Sequence, residues 1–258
     1  MESVSSSSML PSPAELEGMD AECVNRVLAL LVAPLQAAVL QPTEVVLHDL
    51  RRIPNTVRAI AGAVTGRRVG DPPTDKLLER IAAGELHHEI GYRSQLPDGR
   101  VLQSTTIIYT DADGRPAAAL CLNTDVSAWV SLRSALDRFV LGHDVSTLPA
   151  ASTPPAASTP SVPGGPARPP AAARQGESFP RSVEELCDVL VDAAISSVGV
   201  PVERMRKEQK LQVVAELERR GFFLVKQAPE TAATALGVSR FTIYNYLNEL
   251  SGTGEESA

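Results

Sequence analysis

The chain has 258 residues, of which 24 are basic and 31 acidic, so its net charge is −7. This acidic balance excludes a protein that coats nucleic acid through overall charge, and any contact with DNA must come from a local basic patch. The three cysteines, Cys23, Cys121 and Cys187, match no zinc-binding spacing, which predicts a reducing compartment, the cytoplasm, and no bound metal.

The N-terminal stretch 1–19 is rich in Ser and Pro, so we expect it to be disordered, and it has no secretory-signal pattern. A helix begins after the N-cap Asp20, and its apolar residues recur at helical spacing until Pro34, where it should kink or end. The apolar stretch 27–40 is too short to cross a bilayer, so we expect no membrane partner.

An alternation of strands and helices follows this first helix. The pattern predicts two strands, a helix, three strands joined by Asp-Gly turns, and a closing helix, at 44–50, 56–64, 75–83, 89–96, 100–110, 115–123 and 127–140. This order is the plan of a PAS-like sensor domain, an antiparallel sheet with flanking helices, which we place at 20–145.

Three stretches carry a family resemblance: EVVLHDLRR at 44–52, TGRRVGDPPTD at 65–75 and ALCLNTDVS at 119–127. Together they are similar to the YheO-like PAS family of bacterial regulators over about 24–124. The resemblance implies a sensory role without naming an effector, and no cofactor is predicted.

Few residues of this domain are candidates for binding a small molecule. They lie at the end of the first strand, in or near loops, or at the end of the last strand: His48, Asp49, Arg67, Asp71 and Asn123. Each also has a structural interpretation, as a buried strand residue for His48, a turn residue for Asp71 and a strand-end hydrogen-bonding residue for Asn123. Adjacent His87 and His88 point to opposite sides in regular structure and do not favour a shared metal.

Enzyme motifs are not found in the sequence. It has no phosphate-binding P-loop, nucleophile elbow or HExxH motif, so we expect no enzymatic activity.

Prolines crowd the stretch 146–180, which has no apolar period and little charge. Such a composition buries too little apolar surface to fold, so it predicts a disordered linker that tethers two domains loosely. An all-helical domain at 181–250 and a disordered tail at 251–258 follow. In this domain Ser182 and Glu185 form a capping-box pattern, and 222–225 is predicted to be extended.

The stretch AATALGVSRFTIYNYL, at 232–247, has the spacing of a helix-turn-helix. Gly237 suits the positive φ of the turn, Ser239 caps the second helix, and Ile243, Leu247 and Leu250 form its buried stripe. The outward face offers groups that bind phosphates and base edges: Ser239, Arg240, Phe241, Tyr244 and Asn245. Basic residues near it form the expected local patch: Arg204, Arg206, Lys207, Lys210, Arg219, Arg220, Lys226 and Arg240.

The C-terminal stretch 208–250 also looks like the helix-turn-helix module of the DauR-type transcriptional regulators. The sequence therefore predicts an α+β N-terminal domain joined to an all-α DNA-binding domain. Its expected function is a sequence-specific transcriptional regulator that binds double-stranded DNA as a homodimer or higher homo-oligomer and senses a small-molecule effector. The alternative is a metabolite sensor or dimer scaffold whose helical module binds protein rather than DNA.

Overall fold

The computed structural model describes residues 20–85, 87–111, 113–140 and 177–253. The predicted disordered segment 1–19 and most of the predicted linker and tail lie outside these residues. Residues 177–180, the end of the predicted linker, lie inside them and pack against the N-terminal domain.

The first helix, α1, spans Ala21–Ala38 and begins where the Asp20 carboxylate accepts from the Cys23 N–H at 2.7 Å. It continues through Pro34 instead of ending there. Val24, Leu28 and Val32 are buried against the sheet. On the same side, buried Asn25 donates to the carbonyl of Ala117 at 3.1 Å, which fixes the helix to a strand.

By length and composition alone, α1 is apolar enough to cross a membrane. The helix is longer than the apolar stretch 27–40 considered from the sequence, because it starts at Ala21. Val24, Leu28 and Val32 pack on the sheet, while Val27, Leu30 and Leu31 on the other side of the helix are exposed.

Five strands form one antiparallel sheet in the order β2-β1-β5-β4-β3. Their bounds are Thr43–Asp49 for β1, Val57–Ala61 for β2, Glu89–Gln95 for β3, Val101–Thr110 for β4 and Pro116–Asp125 for β5. Helix α2, Asp75–Ala82, precedes β3, and helix α3, Ser127–Val140, follows β5. The predicted PAS-like architecture is confirmed.

Side-chain alternation divides the sheet into two faces. One face packs against α1 and is apolar: Val45, Leu47, Ala118 and Leu120. The opposite face carries Val46, Ile108, Ala119 and Cys121, and Leu77 of α2 packs on it. The register also places Glu44 of β1 and Ser104 of β4 on either side of Asn123, so polar side chains meet on this second face.

The C-terminal domain is built from four α-helices: α4 at Val183–Val198, α5 at Lys207–Arg219, α6 at Ala228–Leu236 and α7 at Arg240–Thr253. The Ser182 hydroxyl caps α4 by accepting from the Glu185 N–H at 3.1 Å, as predicted. The Glu185 carboxylate reaches back to the N–H of Arg181 at 2.8 Å, one residue before the cap.

The prediction of an extended run at 222–225 was wrong. Phe222–Leu224 form a single 3-10 turn, and Phe222 is fully buried in the core of the domain. A short apolar run has no period that separates a strand from a buried turn. Here Gly221, with φ 73°, turns the chain so that Phe222 points into the core.

The two domains are in direct contact, in contrast to the loose tether that the Pro-rich composition predicted. Leu78 of α2 is fully buried in the same core as Leu186, Leu217 and Phe222 of the C-terminal domain. Arg219 of α5 forms an ion pair with Glu79 of α2. Helix α2 therefore contacts the sheet on one side and the C-terminal domain on the other.

Candidate nucleic-acid interface and buried polar cluster

Helices α6 and α7 meet in a tight turn at 237–239. Gly237 has φ 61°, and the N–H of Val238 donates to the Ala233 carbonyl at 3.0 Å, which closes the end of α6. The Ser239 hydroxyl accepts from the Thr242 N–H at 3.1 Å and so caps α7. Local sequence chemistry therefore accounts for this turn.

The inner side of α7 fixes which residues point outward. Ile243 is fully buried, and Leu247 and Leu250 pack partly against the core. Tyr246 is also buried, at 6% exposure, and was not included in the predicted stripe. Its spacing of three from Ile243 was the available signal, because i+3 neighbours share a helix face as i+4 neighbours do.

All five predicted DNA-contacting residues are exposed: Ser239, Arg240, Phe241, Tyr244 and Asn245. Phe241 is 73% exposed, which is unusual for a large aromatic side chain. The four residues within α7 have the spacing i, i+1, i+4 and i+5, so they share one face of the helix.

Arg240 is oriented by two neighbours on this face. Its guanidinium donates to the Tyr244 hydroxyl at 2.9 Å, lies 5.4 Å from the centre of that ring, and forms an ion pair with Glu230 of α6. The hydrogen bond to Tyr244 and the charge of Glu230 raise the pKa of Arg240. Its charge is thus partly compensated, and a phosphate that binds it must compete with Glu230.

The basic patch is smaller than the sequence indicated. Arg219 and Arg220 both pair with Glu216, at 2.8 and 2.7 Å. Lys207 pairs with Glu249 at 2.9 Å, and Lys210 donates to the Leu236 carbonyl at 2.8 Å. Within the described ranges, the patch residues that form no ion pair are Arg204, Arg206, Lys210 and Lys226.

On the second face of the sheet, the structure brings together three of the predicted ligand-binding residues, His48, Arg67 and Asn123. Together with Glu44 and Glu177 they form what we call the buried polar cluster. Glu44 is fully buried and accepts from the N–H groups of Val64 and Thr65 at 3.1 and 3.0 Å. Arg67 approaches Glu44 at 3.8 Å, so their charges balance.

Several polar atoms of this cluster have no hydrogen-bond partner in the described part of the chain. They are Nε2 of His48, Nη1 of Arg67, Nδ2 of Asn123 and Oε2 of Glu177. The other polar ends are satisfied: His48 Nδ1 lies 2.8 Å from the Thr56 hydroxyl, and the Asn123 carbonyl oxygen accepts from Ser104 at 3.1 Å. Unpaired buried polar groups are costly, so an arrangement of this kind marks a site suited to a ligand.

Burial sets the protonation of the cluster. It lowers the pKa of His48 well below its usual value, and the nearby charge of Arg67 lowers it further, so His48 is neutral. Burial likewise raises the pKa of Cys121, on the same face, to about 11. Its thiol therefore stays protonated, which makes it a poor nucleophile.

The remaining predicted ligand-binding residues lie elsewhere. Asp49 is on the α1 side of the sheet, where Arg51 binds it at 2.8 Å and Arg58 at 3.2 Å. Asp71 accepts from the Arg68 N–H at 2.7 Å and lines a cleft of about 690 Å³ between the two domains. The structure thus separates these two carboxylates from His48, Arg67 and Asn123.

The adjacent histidines do not form a metal site with other side chains. Among the residues that the structure describes, no three His, Cys, Asp or Glu side chains are grouped to hold a metal ion. His87 and His88 are exposed, and the ring of His88 accepts from the Ile108 N–H at 3.2 Å.

Comparison with known families assigns both domains. Residues 21–141 match the YheO-like PAS domain family, and residues 186–248 match an HTH domain family. The predicted resemblance is therefore confirmed for both parts of the chain.

Relatives that align with both domains were found in several bacteria. The transcriptional regulator DauR of Pseudomonas aeruginosa is 28% identical over 214 residues, which cover 82% of this chain and 87% of DauR. The uncharacterized protein YheO of Escherichia coli K12 is 24% identical over 210 residues, covering 80% of this chain and 76% of YheO. An uncharacterized protein of Haemophilus influenzae is 26% identical over 222 residues, covering 85% and 88%.

No solved structure has a significant match to the chain. The sheet with its polar face and the turn between α6 and α7 agree with the two family assignments. The chain therefore joins a YheO-like PAS domain to a C-terminal helix-turn-helix domain.

Proposed function

We propose that this chain is a cytoplasmic, sequence-specific DNA-binding transcriptional regulator whose PAS domain senses a small molecule. One observation carries the DNA-binding part: α7 buries Ile243 and Tyr246 and exposes Arg240, Phe241, Tyr244 and Asn245 within an HTH domain. Arginine and asparagine read base edges, tyrosine reaches phosphates, and an apolar ring suits a thymine methyl group. The similarity to DauR, a transcriptional regulator, supports the same function.

Affinity for DNA requires two copies in this proposal. The chain is acidic, and several basic residues near α7 are already paired with carboxylates, so one domain neutralises few phosphates. A two-fold dimer places two copies of α7 about 34 Å apart, one turn of DNA, and so reads a palindromic site.

Helix α3 supports the dimer and offers a surface for it. None of its residues is buried, and it carries four exposed apolar side chains at positions i, i+3, i+7 and i+10: Trp129, Leu132, Leu136 and Phe139. This is the a and d spacing of a two-stranded coiled coil. We therefore assign α3 of a second copy as its partner, because pairing two such seams would bury apolar side chains that are exposed in one copy.

The buried polar cluster supports the sensory part of the proposal. Unpaired donors on Arg67 and Asn123 and an unpaired ring nitrogen of His48 lie on the second face of the sheet, where a small polar molecule can satisfy them. The direct packing of α2 on the C-terminal domain provides a route by which a change at this face reaches α7.

The test is selection of bound sequences from random duplex DNA by the full chain. We expect enrichment of a palindrome with half-sites about 10 base pairs apart, centre to centre. Enrichment of an unpaired half-site would overturn the dimer. No enrichment would overturn DNA binding and favour the alternative, in which the helical module binds protein.

A further inference from the structure

The segment 177–180 connects the buried polar cluster to the C-terminal domain. Glu177 accepts from the Thr74 hydroxyl at 2.8 Å, and the Ser178 N–H donates to Asp75 at 2.6 Å. Phe179 is buried with Val64, Leu96 and Leu102 of the N-terminal domain. Two residues after Pro180 the chain reaches Ser182, the cap of α4.

The Glu177 carboxylate lies in the cluster with only part of its hydrogen-bonding capacity used. One carboxylate oxygen accepts from Thr74, while the other, Oε2, is buried and has no partner of good hydrogen-bond geometry in the described residues, although the Tyr92 hydroxyl also interacts with this carboxylate. Burial raises the pKa of Glu177, and the hydrogen bond from Thr74, the charge of Arg67 and the hydrogen bond from Tyr92 offset this only in part. Burying the charged form of the Glu177 carboxylate in the cluster therefore costs free energy.

Arg67 links Glu177 to the rest of the cluster. Its guanidinium lies 5.4 Å from the centre of the Phe179 ring and acts electrostatically on Glu177, yet its Nη1 has no partner among the described residues. The amide Nδ2 of Asn123 is also an unpaired donor on this face. Glu177 leaves both donors without a hydrogen bond, and a carboxylate that is not tied to the chain is free to accept from them.

We propose that Glu177 is an internal carboxylate ligand of the buried polar cluster, and that a small carboxylate-bearing effector competes with it and frees the 177–180 segment. This inference rests on the proposed sensory function and names the chemical class of the effector. The effector gains hydrogen bonds that the internal carboxylate leaves unmade, so it can replace Glu177 at a moderate concentration. Release of the segment alters the entry into α4, whose Leu186 and Leu190 belong to the core that holds α6 and α7.

The first test uses acetate and the full-length variant Glu177→Ala. Acetate supplies the carboxylate and the one further carbon that this substitution removes. We expect acetate to raise the thermal midpoint of Glu177→Ala relative to sodium chloride of equal ionic strength, with an apparent affinity about fivefold or more above that of the wild-type chain. The matched control is Glu184→Ala, which removes an exposed carboxylate from the first turn of α4 and should respond as the wild type does.

A second measurement follows the segment itself. Hydrogen exchange of the Ser178 and Phe179 amides in the wild-type chain should become about threefold faster or more in saturating acetate. In the background of Glu177→Ala, Arg67→Lys should weaken the acetate response, because lysine keeps the charge but loses the planar donor pair.

Equal acetate affinities of the wild type, Glu177→Ala and Glu184→Ala, or no binding to any of them, would overturn the inference. So would binding without faster exchange at 178 and 179. Both measurements are made without DNA, so their failure leaves the proposed DNA binding standing. Conversely, failed DNA selection by a chain that passes both tests would overturn the proposed function alone.

Discussion

A Cβ atom placed on Gly221 would come 2.9 Å from the Cβ of Ala82 and 3.0 Å from the carbonyl oxygen of Leu78. Gly221 follows α5 in the C-terminal domain, while Ala82 is the last residue of α2 in the PAS domain. The backbones of the two domains therefore touch at a position where only glycine fits. A shift of α2 would consequently displace the backbone of the C-terminal domain at Gly221.

The substitution Gly221→Ala should loosen this contact. Gly114 provides a matched control, because it has φ 75°, close to the 73° of Gly221, but a Cβ added there would have no neighbour within 4 Å. Gly114→Ala should lose about 1–2 kcal/mol of unfolding free energy from the left-handed backbone alone. Gly221→Ala should lose about 1–3 kcal/mol more from overpacking. Urea denaturation measures both, and equal losses would contradict the close approach.

The exposed face of α7 can be tested through Arg240. Arg240→Ala should weaken specific DNA binding and reduce the salt dependence of the binding constant by about one phosphate contact. Glu230→Gln should strengthen binding by about two- to fivefold, because it frees Arg240 and removes a carboxylate close to the DNA phosphates. Fluorescence anisotropy with the selected duplex measures both effects.

The control for this pair is Arg115→Ala, since Arg115 is an exposed arginine in the hairpin between β4 and β5 and pairs only weakly with Asp113. It should leave DNA binding unchanged. If all three variants bound with the same affinity and salt slope as the wild type, the α7 face would not be the DNA-reading surface.

The seam on α3 predicts the outcome of a charge substitution. Leu136 lies within the seam and is 54% exposed. Leu136→Glu should convert the dimer to a monomer, because it places a carboxylate in the coiled-coil seam. Ile90→Glu changes a side chain that is 69% exposed on β3, away from the seam, and should leave the dimer intact. Sedimentation velocity separates the two results; a monomeric wild type, or a Leu136→Glu dimer, would exclude this interface.

Buried His48 predicts a pH dependence of stability. Because its folded pKa lies well below the ordinary value of 6.5, the unfolded chain binds a proton that the native chain does not as the pH falls below about 6.5. This group therefore decreases the unfolding free energy by up to about 1.4 kcal/mol per pH unit in that range. Arg67, Glu44 and Glu177 are the charged groups of its cluster.

The unfolding free energy, measured by urea denaturation between about pH 5 and pH 7.5, should rise with pH in the wild type. The control His87→Gln, which replaces an exposed ring, should show the same rise. His48→Gln should lose the part of the slope that begins near the ordinary histidine pKa. Identical slopes in the wild type and His48→Gln would show that His48 is not the responsible group.

Local features were predictable from the sequence because their causes are local. The bounds of β3, β4 and β5 follow within about two residues from the Asp-Gly turns, whereas the second strand, predicted at 56–64, ends at Ala61. The cap at Ser239 and the turn at Gly237 are set by residues within a few positions of each other. Helix α3 was predicted with the bounds that it has, Ser127–Val140.

Long-range features were not predictable in the same way. Glu177 is 103 residues from its partner Thr74 and follows a stretch whose composition predicts disorder. The signal that could have found it is the change from Pro and Ala to an acidic and an aromatic residue at 177 and 179. Leu78 was likewise unexpected in the core of the other domain, because helical periodicity identifies a buried face but not its partner.

The docking of residues 177–180 has a consequence for how this architecture tolerates insertions. Helix α3 ends at Val140, and Glu177 contacts the PAS domain again before the chain enters α4. From its Pro-rich composition, we expect that lengthening or shortening the stretch between Val140 and Glu177 changes only a loop-closure entropy, about 0.6 kcal/mol for each doubling of length. The contacts of residues 177–180 with the PAS domain fix the position from which the chain enters α4. We therefore expect that the long Pro-rich stretch can vary in length without altering how the domains meet.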